Sequence, residues 1–263
     1  MTKQKRLRSD MAWSDATHIR VQGLDLMRDV MGKLNLGDFA FLEIQGKLPT
    51  AAESVVFNAM LATLVEHGMT PMAIATRLTY LGAPESLQGA VASGLLGMGT
   101  TFAGTAEGAA RILQEALSGD AAGMPEEELP GLADTIVKRL RESRQPIPGI
   151  GHNIHKPADP RATRLFELAA EHGLSGRYVR LMQHIAVAAE RALNKPGQLP
   201  VNATGALGAL SSEMGIPWRL CRGLAVIGRS IGLVGHIAEE LRNPLAREIW
   251  ERTEAECSSH VQL

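Results

Sequence analysis

The chain has 263 residues, a formal net charge of −1, and 45% hydrophobic, 21% charged and 4% aromatic side chains. This length can bury a large core as one large domain or two smaller ones, and the composition excludes a disordered chain. The balanced charge argues against a nucleic-acid-binding protein. The two cysteines, Cys221 and Cys257, have neither disulfide-framework nor metal-site spacing, so we expect a cytoplasmic protein that binds no metal.

The pattern along the chain predicts a succession of helices. Thr50-Ala51-Ala52-Glu53 has the form of a capping box, which opens a helix that Gly68 is expected to end. Further helices are predicted over residues 70–82, 84–96, 105–117, 130–143, 160–172, 175–194, 203–214, 218–242 and 244–254. Because the alternation typical of strands is nearly absent, these elements predict an all-α chain with short loops.

A glycine-rich segment carries the first candidate site. Gly149-Ile150-Gly151-His152 precedes Asp159-Pro160-Arg161, which reads as an N-cap, a first helical residue and an arginine in the first turn. The glycines allow close backbone approach to a ligand, histidine moves protons near neutral pH, and a helix N-terminus favours anions. These residues suit a negatively charged, proton-handling substrate. A structural loop with a hydrogen-bonded histidine accounts for them equally well.

Three basic residues lie seven positions apart on the predicted helix 218–242, namely Arg222, Arg229 and His236, and therefore share a face. Arg229 lies in an apolar stretch, where a buried charge needs an anionic partner. That partner is either an internal carboxylate or the carboxylate of a bound substrate. Since Arg229 and His236 also interrupt the longest apolar stretch, residues 223–238, we expect no membrane span.

The remaining histidines are less informative from spacing alone. Glu-His-Gly occurs at 66–68 and again at 171–173, so the pattern gives no reason to prefer His67 over His172. Both triplets have the form of an ordinary helix stop. His184 lies among apolar residues and is expected to be a core histidine.

From about Gly23 to Arg242 the chain resembles the citrate synthase superfamily, and in particular the citryl-CoA lyases and the citryl-CoA-cleaving C-terminal part of ATP-citrate lyase. Four ordered segments carry the resemblance, and they cover residues 48–68, 93–104, 149–161 and 227–236. The first ends in Glu66-His67-Gly68, and the last contains Gly228-Arg229-Ser230.

The resemblance implies an all-α, citrate synthase-like fold. Its large domain would comprise residues 1–102 and 223–263, and a smaller inserted domain residues 103–222. It further implies a homodimer that binds acyl-CoA and di- or tricarboxylates, with coenzyme A as part of the substrate and with no nucleic-acid or membrane partner. The residues that would hold the citryl or oxaloacetate part are His67, Phe102, His152, Arg161 and Arg229. Those expected near coenzyme A are Gly149, Ile150, Gly151 and Lys156, with Lys156 facing phosphate.

Two positions depart from the citrate synthase pattern. Synthases have a histidine where this chain has Phe102, and lyase-type relatives share the phenylalanine. The family places an aspartate where this chain has Thr204, and that aspartate moves a proton at the acetyl-CoA methyl group. A threonine hydroxyl is not a useful base near neutral pH. Glu213 and His155 are polar residues near the relevant segments and are candidates to replace it.

Three hypotheses follow. In the first, the protein is a carbon–carbon lyase that cleaves citryl-CoA, or a related 3-hydroxy-3-carboxyacyl-CoA, to acetyl-CoA and oxaloacetate or another 2-oxo acid. His152 and Thr204 occupy the catalytic positions, and His152 would take the hydroxyl proton. In the second, the protein carries out other acyl-CoA chemistry, such as thioester hydrolysis. In the third, it binds coenzyme A or a carboxylate without turnover.

Overall fold

The computed structural model describes residues 7–261, and helices account for 66% of these residues, which confirms the all-α class. The α-helices are α1 (Leu36–Gln45), α2 (Ala51–Val65), α3 (Pro71–Gly82), α4 (Leu87–Leu96), α5 (Thr100–Ala116), α6 (Leu129–Glu142), α7 (Pro160–Glu171), α8 (Arg177–Leu193), α9 (Ala203–Glu213), α10 (Cys221–Arg242) and α11 (Ala246–Ser258). Short 3-10 turns lie at Gly119–Gly123, Glu126–Glu128 and Trp218–Leu220, and a π-turn at Leu26–Val30.

The N-terminal region differs from the sequence prediction, since it contains a small antiparallel sheet of β1 (Ala12–Ser14), β2 (Ile19–Val21) and β3 (Leu24–Asp25). Gln22 and Gly23 connect β2 to β3, both with positive φ, as in a tight two-residue hairpin turn. Helix α1 was also not predicted, although Asn35 caps its start by accepting the N–H of Asp38. The three strands have only 2 or 3 residues, too few for an alternation of side chains to reveal them.

The predicted helix starts are largely confirmed. Thr50 and Glu53 form the expected capping box, with the Thr50 N–H donating to Glu53 Oε2 at 2.8 Å and the Glu53 N–H donating to Thr50 Oγ1 at 3.2 Å. Helix α5 begins at Thr100 rather than at residue 105, because Gly104 lies within the helix instead of ending the loop before it. The site region 100–104 is therefore the first turn of a helix.

One large hydrophobic core extends from α1 to α10, and a smaller cluster lies where α10 packs on α3 and α4. Helix α9 is buried along its length, and Gly208 lets it approach α5, since a Cβ there would lie 2.8 Å from the Ala110 nitrogen. The expected domain boundaries, 102/103 and 222/223, fall inside α5 and α10. The division into two domains stays a prediction.

Helix α10 crosses the middle of the molecule against α2, α3, α4 and α5. The segment Trp218–Arg242 is long and apolar enough to cross a membrane by length and composition alone, and 50% of its most apolar window is buried inside the protein. Close packing on α2 depends on Gly228, where a Cβ would lie 2.8 Å from Leu64 Cβ and 3.0 Å from the Leu61 carbonyl oxygen. This crossing places Arg229 beside the end of α2.

Candidate active site

A cavity of about 260 Å³ lies between the α2–α3 turn, the start of α5, the segment before α7, and helices α7, α9 and α10. Its walls bring together the six predicted substrate and catalytic residues, which are His67, Phe102, His152, Arg161, Thr204 and Arg229. Of the described residues that line the cavity, none is an aspartate or a glutamate. The cavity is therefore lined by cationic and neutral groups, as an anion-binding site requires.

The surroundings of Arg229 decide between the two partners that the sequence allowed, an internal carboxylate and the carboxylate of a bound substrate. The residue is 8% exposed, and its Nε and Nη1 atoms are buried without a hydrogen-bond partner among the described residues. Within residues 7–261 no carboxylate lies within ion-pair distance of it. Burial lowers the pKa of Arg229, and the more distant Glu66 carboxylate opposes that shift. Because an unpaired buried charge is costly, this guanidinium is suited to an anion that enters the cavity.

Arg161 is held in place by a buried carboxylate. Asp159 accepts the Arg161 backbone N–H at 3.0 Å, Arg161 Nε at 3.1 Å and Nη2 at 2.8 Å, and the N–H of Ala203 at 3.0 Å. Burial raises the pKa of Asp159, but these donors outweigh it and lower the pKa to about 2. The predicted N-cap therefore also fixes the guanidinium and ties α7 to the start of α9.

The hydrogen bonds of His152 define its protonation. Its Nδ1 atom accepts the N–H of Ile154 at 3.1 Å and the N–H of His155 at 3.0 Å. Burial lowers the pKa of His152, nearby His155 and Arg161 lower it further, and Asp159 opposes them. The ring is therefore neutral near pH 7, and with Nδ1 accepting two bonds its proton is on Nε2.

The Nε2 atom of His152 lies 3.3 Å from Nη2 of Arg161, so in this tautomer two donors face one another. A single oxygen in the cavity, beside the two nitrogens and within hydrogen-bond distance of each, would satisfy both donors. This geometry favours His152 as a hydrogen-bond donor to a substrate oxygen. It does not fit the expectation that His152 takes the hydroxyl proton, because Nε2 already carries a proton.

Thr204 lies in the first turn of α9, where Asn202 is the N-cap. The Thr204 hydroxyl donates to Asn202 Oδ1 at 2.7 Å. Asn202 Oδ1 also accepts the Thr204 N–H at 3.0 Å and the Gly205 N–H at 3.2 Å. Asn202 in turn donates through Nδ2 to the Gly151 carbonyl at 2.8 Å. Thr204 therefore belongs to a capping network and offers no base to the cavity.

Neither replacement suggested for the missing aspartate lines the cavity. Glu213 lies at the opposite end of α9, about 14 Å from Thr204 along the helix, and accepts the Val179 N–H at 3.0 Å. Burial raises the pKa of Glu213. His155 packs its ring against that of His152, with centroids 4.4 Å apart, but is not part of the cavity wall.

A larger groove of about 810 Å³ adjoins the cavity and shares Thr105 and Asn202 with it. Gly149 and Ile150 line the groove, whereas Gly151 and Lys156 do not. Arg111 and Arg139 also line it. Sequence reasoning missed these two arginines because each lies on an ordinary amphipathic helix with no motif around it.

Packing of the protein itself also requires a glycine in this loop. Gly149 has φ +81°, and a Cβ there would lie 2.9 Å from the Gly205 nitrogen at the start of α9. The N–H of Gly151 donates to the Pro200 carbonyl at 2.7 Å. A side chain is excluded at Gly149 because the loop packs closely on the start of α9, and not because a ligand would occupy that space.

The seven-residue spacing on α10 does not assemble a single site. Arg222 pairs with Glu107 at 2.7 Å, and His236 hydrogen-bonds to Arg77 and Glu66. Only Arg229 of the three lines the cavity. The three residues therefore share a helix face but contact three different parts of the protein.

The sequence matches the family described as "Citrate synthase, C-terminal domain" over residues 16–251. The chain belongs to the citrate synthase family. Among solved structures, it is similar to citryl-CoA lyase from Hydrogenobacter thermophilus, with 33% identity, a TM-score of 0.80, and coverage of 91% of this chain and 88% of that one. This similarity supports the interpretation of the chain as a lyase or a related enzyme.

A more distant solved structure shares the fold, and longer curated proteins share part of the sequence. ATP citrate lyase from Methanothrix soehngenii, solved in complex with citrate and coenzyme A, is 24% identical, with a TM-score of 0.73 and coverage of 92% of this chain and 40% of that one. The probable ATP-citrate synthase of Dictyostelium discoideum is 26% identical over 226 residues, which are 80% of this chain and 34% of that protein. The chain thus spans about a third of the length of the curated relatives it matches.

Proposed function

We propose that this protein cleaves citryl-CoA, or a related 3-hydroxy-3-carboxyacyl-CoA, to acetyl-CoA and oxaloacetate or the corresponding 2-oxo acid. The observation that carries the proposal is the buried guanidinium of Arg229, which has no carboxylate partner within residues 7–261 and lies in a cavity whose described lining holds no carboxylate. Similarity to a citryl-CoA lyase over most of both chains supports this substrate class.

The two adjoining spaces suit the two ends of such a substrate. Arg229 and Arg161 would bind carboxylates of the citryl part in the smaller cavity, with His67 at its edge. The thioester would pass Thr105 and Asn202 into the larger groove. There Arg111 and Arg139 are placed to face the phosphates of coenzyme A, a role that the sequence suggested for Lys156.

In the cleavage step, the bond between the hydroxyl-bearing carbon and the thioester CH₂ breaks, and its electron pair passes to the thioester as an enolate. The hydroxyl-bearing carbon becomes the carbon of a ketone as the hydroxyl proton leaves to solvent. His152 Nε2–H and Arg161 would donate hydrogen bonds to the hydroxyl oxygen of the substrate, which gains negative charge as its proton leaves. Water then supplies a proton to the enolate carbon, because Thr204 is engaged with Asn202.

A second candidate function is binding of coenzyme A or a carboxylate without turnover. It is favoured by the absence of acidic residues among the described lining of the cavity, where a family aspartate would stand. Other acyl-CoA chemistry, such as thioester hydrolysis, stays a third possibility that the same assay separates.

The test is incubation of the purified protein with citryl-CoA, with oxaloacetate followed by coupled reduction and acetyl-CoA by chromatography. We expect stoichiometric formation of both products. Free coenzyme A with citrate would indicate hydrolysis instead. Tight binding of coenzyme A with no product from a thioester panel would favour the binding protein. Cytoplasmic location and a homodimeric state are part of the proposal, and the latter is tested below.

A further inference from the structure

His67 reaches the cavity from the turn between α2 and α3, which is an exposed segment without a helical cap of the usual kind. Helix α2 ends at Val65, Glu66 is extended, and Gly68 has φ +70°. The N–H groups of His67 and Gly68 both donate to Glu66 Oε1, at 2.8 and 2.6 Å. The Glu66 carboxylate therefore closes the turn that carries His67.

Glu66 is itself held by α10. His236 Nε2 lies 3.2 Å from the same Glu66 Oε1 atom. On the other side of its ring, His236 Nδ1 lies 3.0 Å from Arg77 Nη2 and 3.3 Å from Arg77 Nε. A guanidinium can only donate, so Nδ1 is an acceptor and the proton of the neutral ring is on Nε2, directed at Glu66.

Arg77 orients this histidine because it is fully buried and fixed from several sides. Its Nη1 donates to Glu240 Oε2 at 2.6 Å, and it also pairs with Glu239. Glu240 further accepts the N–H groups of Leu245 and Ala246 at the start of α11. The histidine is thus locked in one tautomer by a rigid part of the fold.

We propose that Glu66, held by His236, is a positioning residue for His67 in the candidate active site. The proposal rests on the proposed function, because His67 matters only if the cavity binds a carboxylate substrate. Glu66 is not a catalytic residue, since it acts through the turn that places His67 in the wall of the cavity that Arg229 also lines.

The decisive comparison is Glu66→Ala with Glu66→Gln. Both substitutions remove the same negative charge near Arg229, but only glutamine keeps an acceptor oxygen for the two N–H groups and His236. The difference between them therefore reports the acceptor oxygen and the side-chain stem that holds it, and not the charge. Glu239→Gln is the matched control, because it removes a charge from the same cluster without touching the bond between His236 and Glu66.

The first measurement needs no ligand. In histidine ¹⁵N spectra, the ring signals of His67 are identified by their loss in His67→Ala. They should shift or broaden in Glu66→Ala and keep wild-type positions in Glu66→Gln and Glu239→Gln. Unchanged signals in Glu66→Ala, or an equal change in Glu239→Gln, would overturn the proposal. If Glu66→Ala does not fold, Glu66→Asp should show the same shift to a smaller extent, and wild-type signals there would equally overturn it.

The second measurement is calorimetric titration with oxaloacetate. The dissociation constant of Glu66→Ala should exceed that of Glu66→Gln by about tenfold, the order that one lost hydrogen bond produces. In a His67→Ala background this difference should vanish, since Glu66 acts through His67. A difference that persists there would overturn the proposal. If wild-type protein binds no oxaloacetate while the ring signals respond as expected, the proposed function fails and the positioning role stands.

Discussion

Substitution of Arg229 by leucine tests the candidate site most directly, because stability and binding should move in opposite directions. The buried guanidinium has two nitrogens without partners, and each such donor costs about 1–3 kcal/mol. Leucine removes the charge and fills similar apolar space. We expect the free energy of unfolding to rise by at least about 1 kcal/mol, which for a chain of this size raises the melting temperature by roughly 2–4 °C.

Ligand affinity should fall at the same time. Removing one partner of a buried, hydrogen-bonded charge pair costs about 2–5 kcal/mol, which corresponds to a dissociation constant roughly 30- to 5,000-fold higher. Calorimetric titration with oxaloacetate and citrate measures this loss, and thermal unfolding of the same samples measures stability.

Arg222→Leu is the matched control for this experiment. It lies on the same helix, pairs with Glu107 at 2.7 Å and does not line the cavity. It should leave affinity unchanged and lower stability slightly, since this ion pair is only partly buried and exposed ion pairs contribute about 0.2–1 kcal/mol. A marked loss of stability in Arg229→Leu with wild-type affinity would show that Arg229 is a structural residue and would refute the reasoning.

Four further predictions concern catalysis, stability and assembly. His152→Ala should lower turnover about 10²–10³-fold, as loss of a charge-stabilising donor does, and wild-type-like turnover of the variant would remove the role. Wild-type turnover should change little from pH 8 to about 7, because the pKa of His152 is lowered from its ordinary value and the ring stays neutral there. Thr204→Asp should raise exchange of acetyl-CoA methyl protons in heavy water with an oxaloacetate analogue present, whereas robust wild-type exchange unaffected by the substitution would mean that another base exists. Asp159 should contribute about 2 kcal/mol of stability above pH 4 that is lost as the pH falls towards 2, because its pKa is lowered from 3.8 to about 2, and Asp159→Asn should flatten acid unfolding curves over that range. Light scattering should show a homodimer at micromolar concentration, and a stable monomer would contradict the proposed assembly.

Much of the local structure could be predicted from the sequence. The capping box at Thr50 and Glu53 and the N-cap at Asp159 formed as expected, because each depends on groups within a single helical turn. Six residues of the cavity wall had also been named from the sequence, five of them in four short segments that resemble one family and Thr204 as a departure from that family's pattern. Their roles stay predictions. The small sheet and α1 were missed. The strands have only 2 or 3 residues, which is too few for their alternation to be distinguished from a loop.

The chemistry of the site was decided by tertiary structure. Whether Arg229 had an internal partner depended on which side chains surround α10, and those come from α2, α5 and α9, far away in the chain. The tautomer of His152 depends on two backbone N–H groups whose direction only the folded loop defines. Glu213, close to Thr204 in sequence, lies at the opposite end of a helix. A sequence states which groups are present, but hydrogen bonds and desolvation act over a few ångströms in space, so the protonation and pairing of each group follow only from the fold.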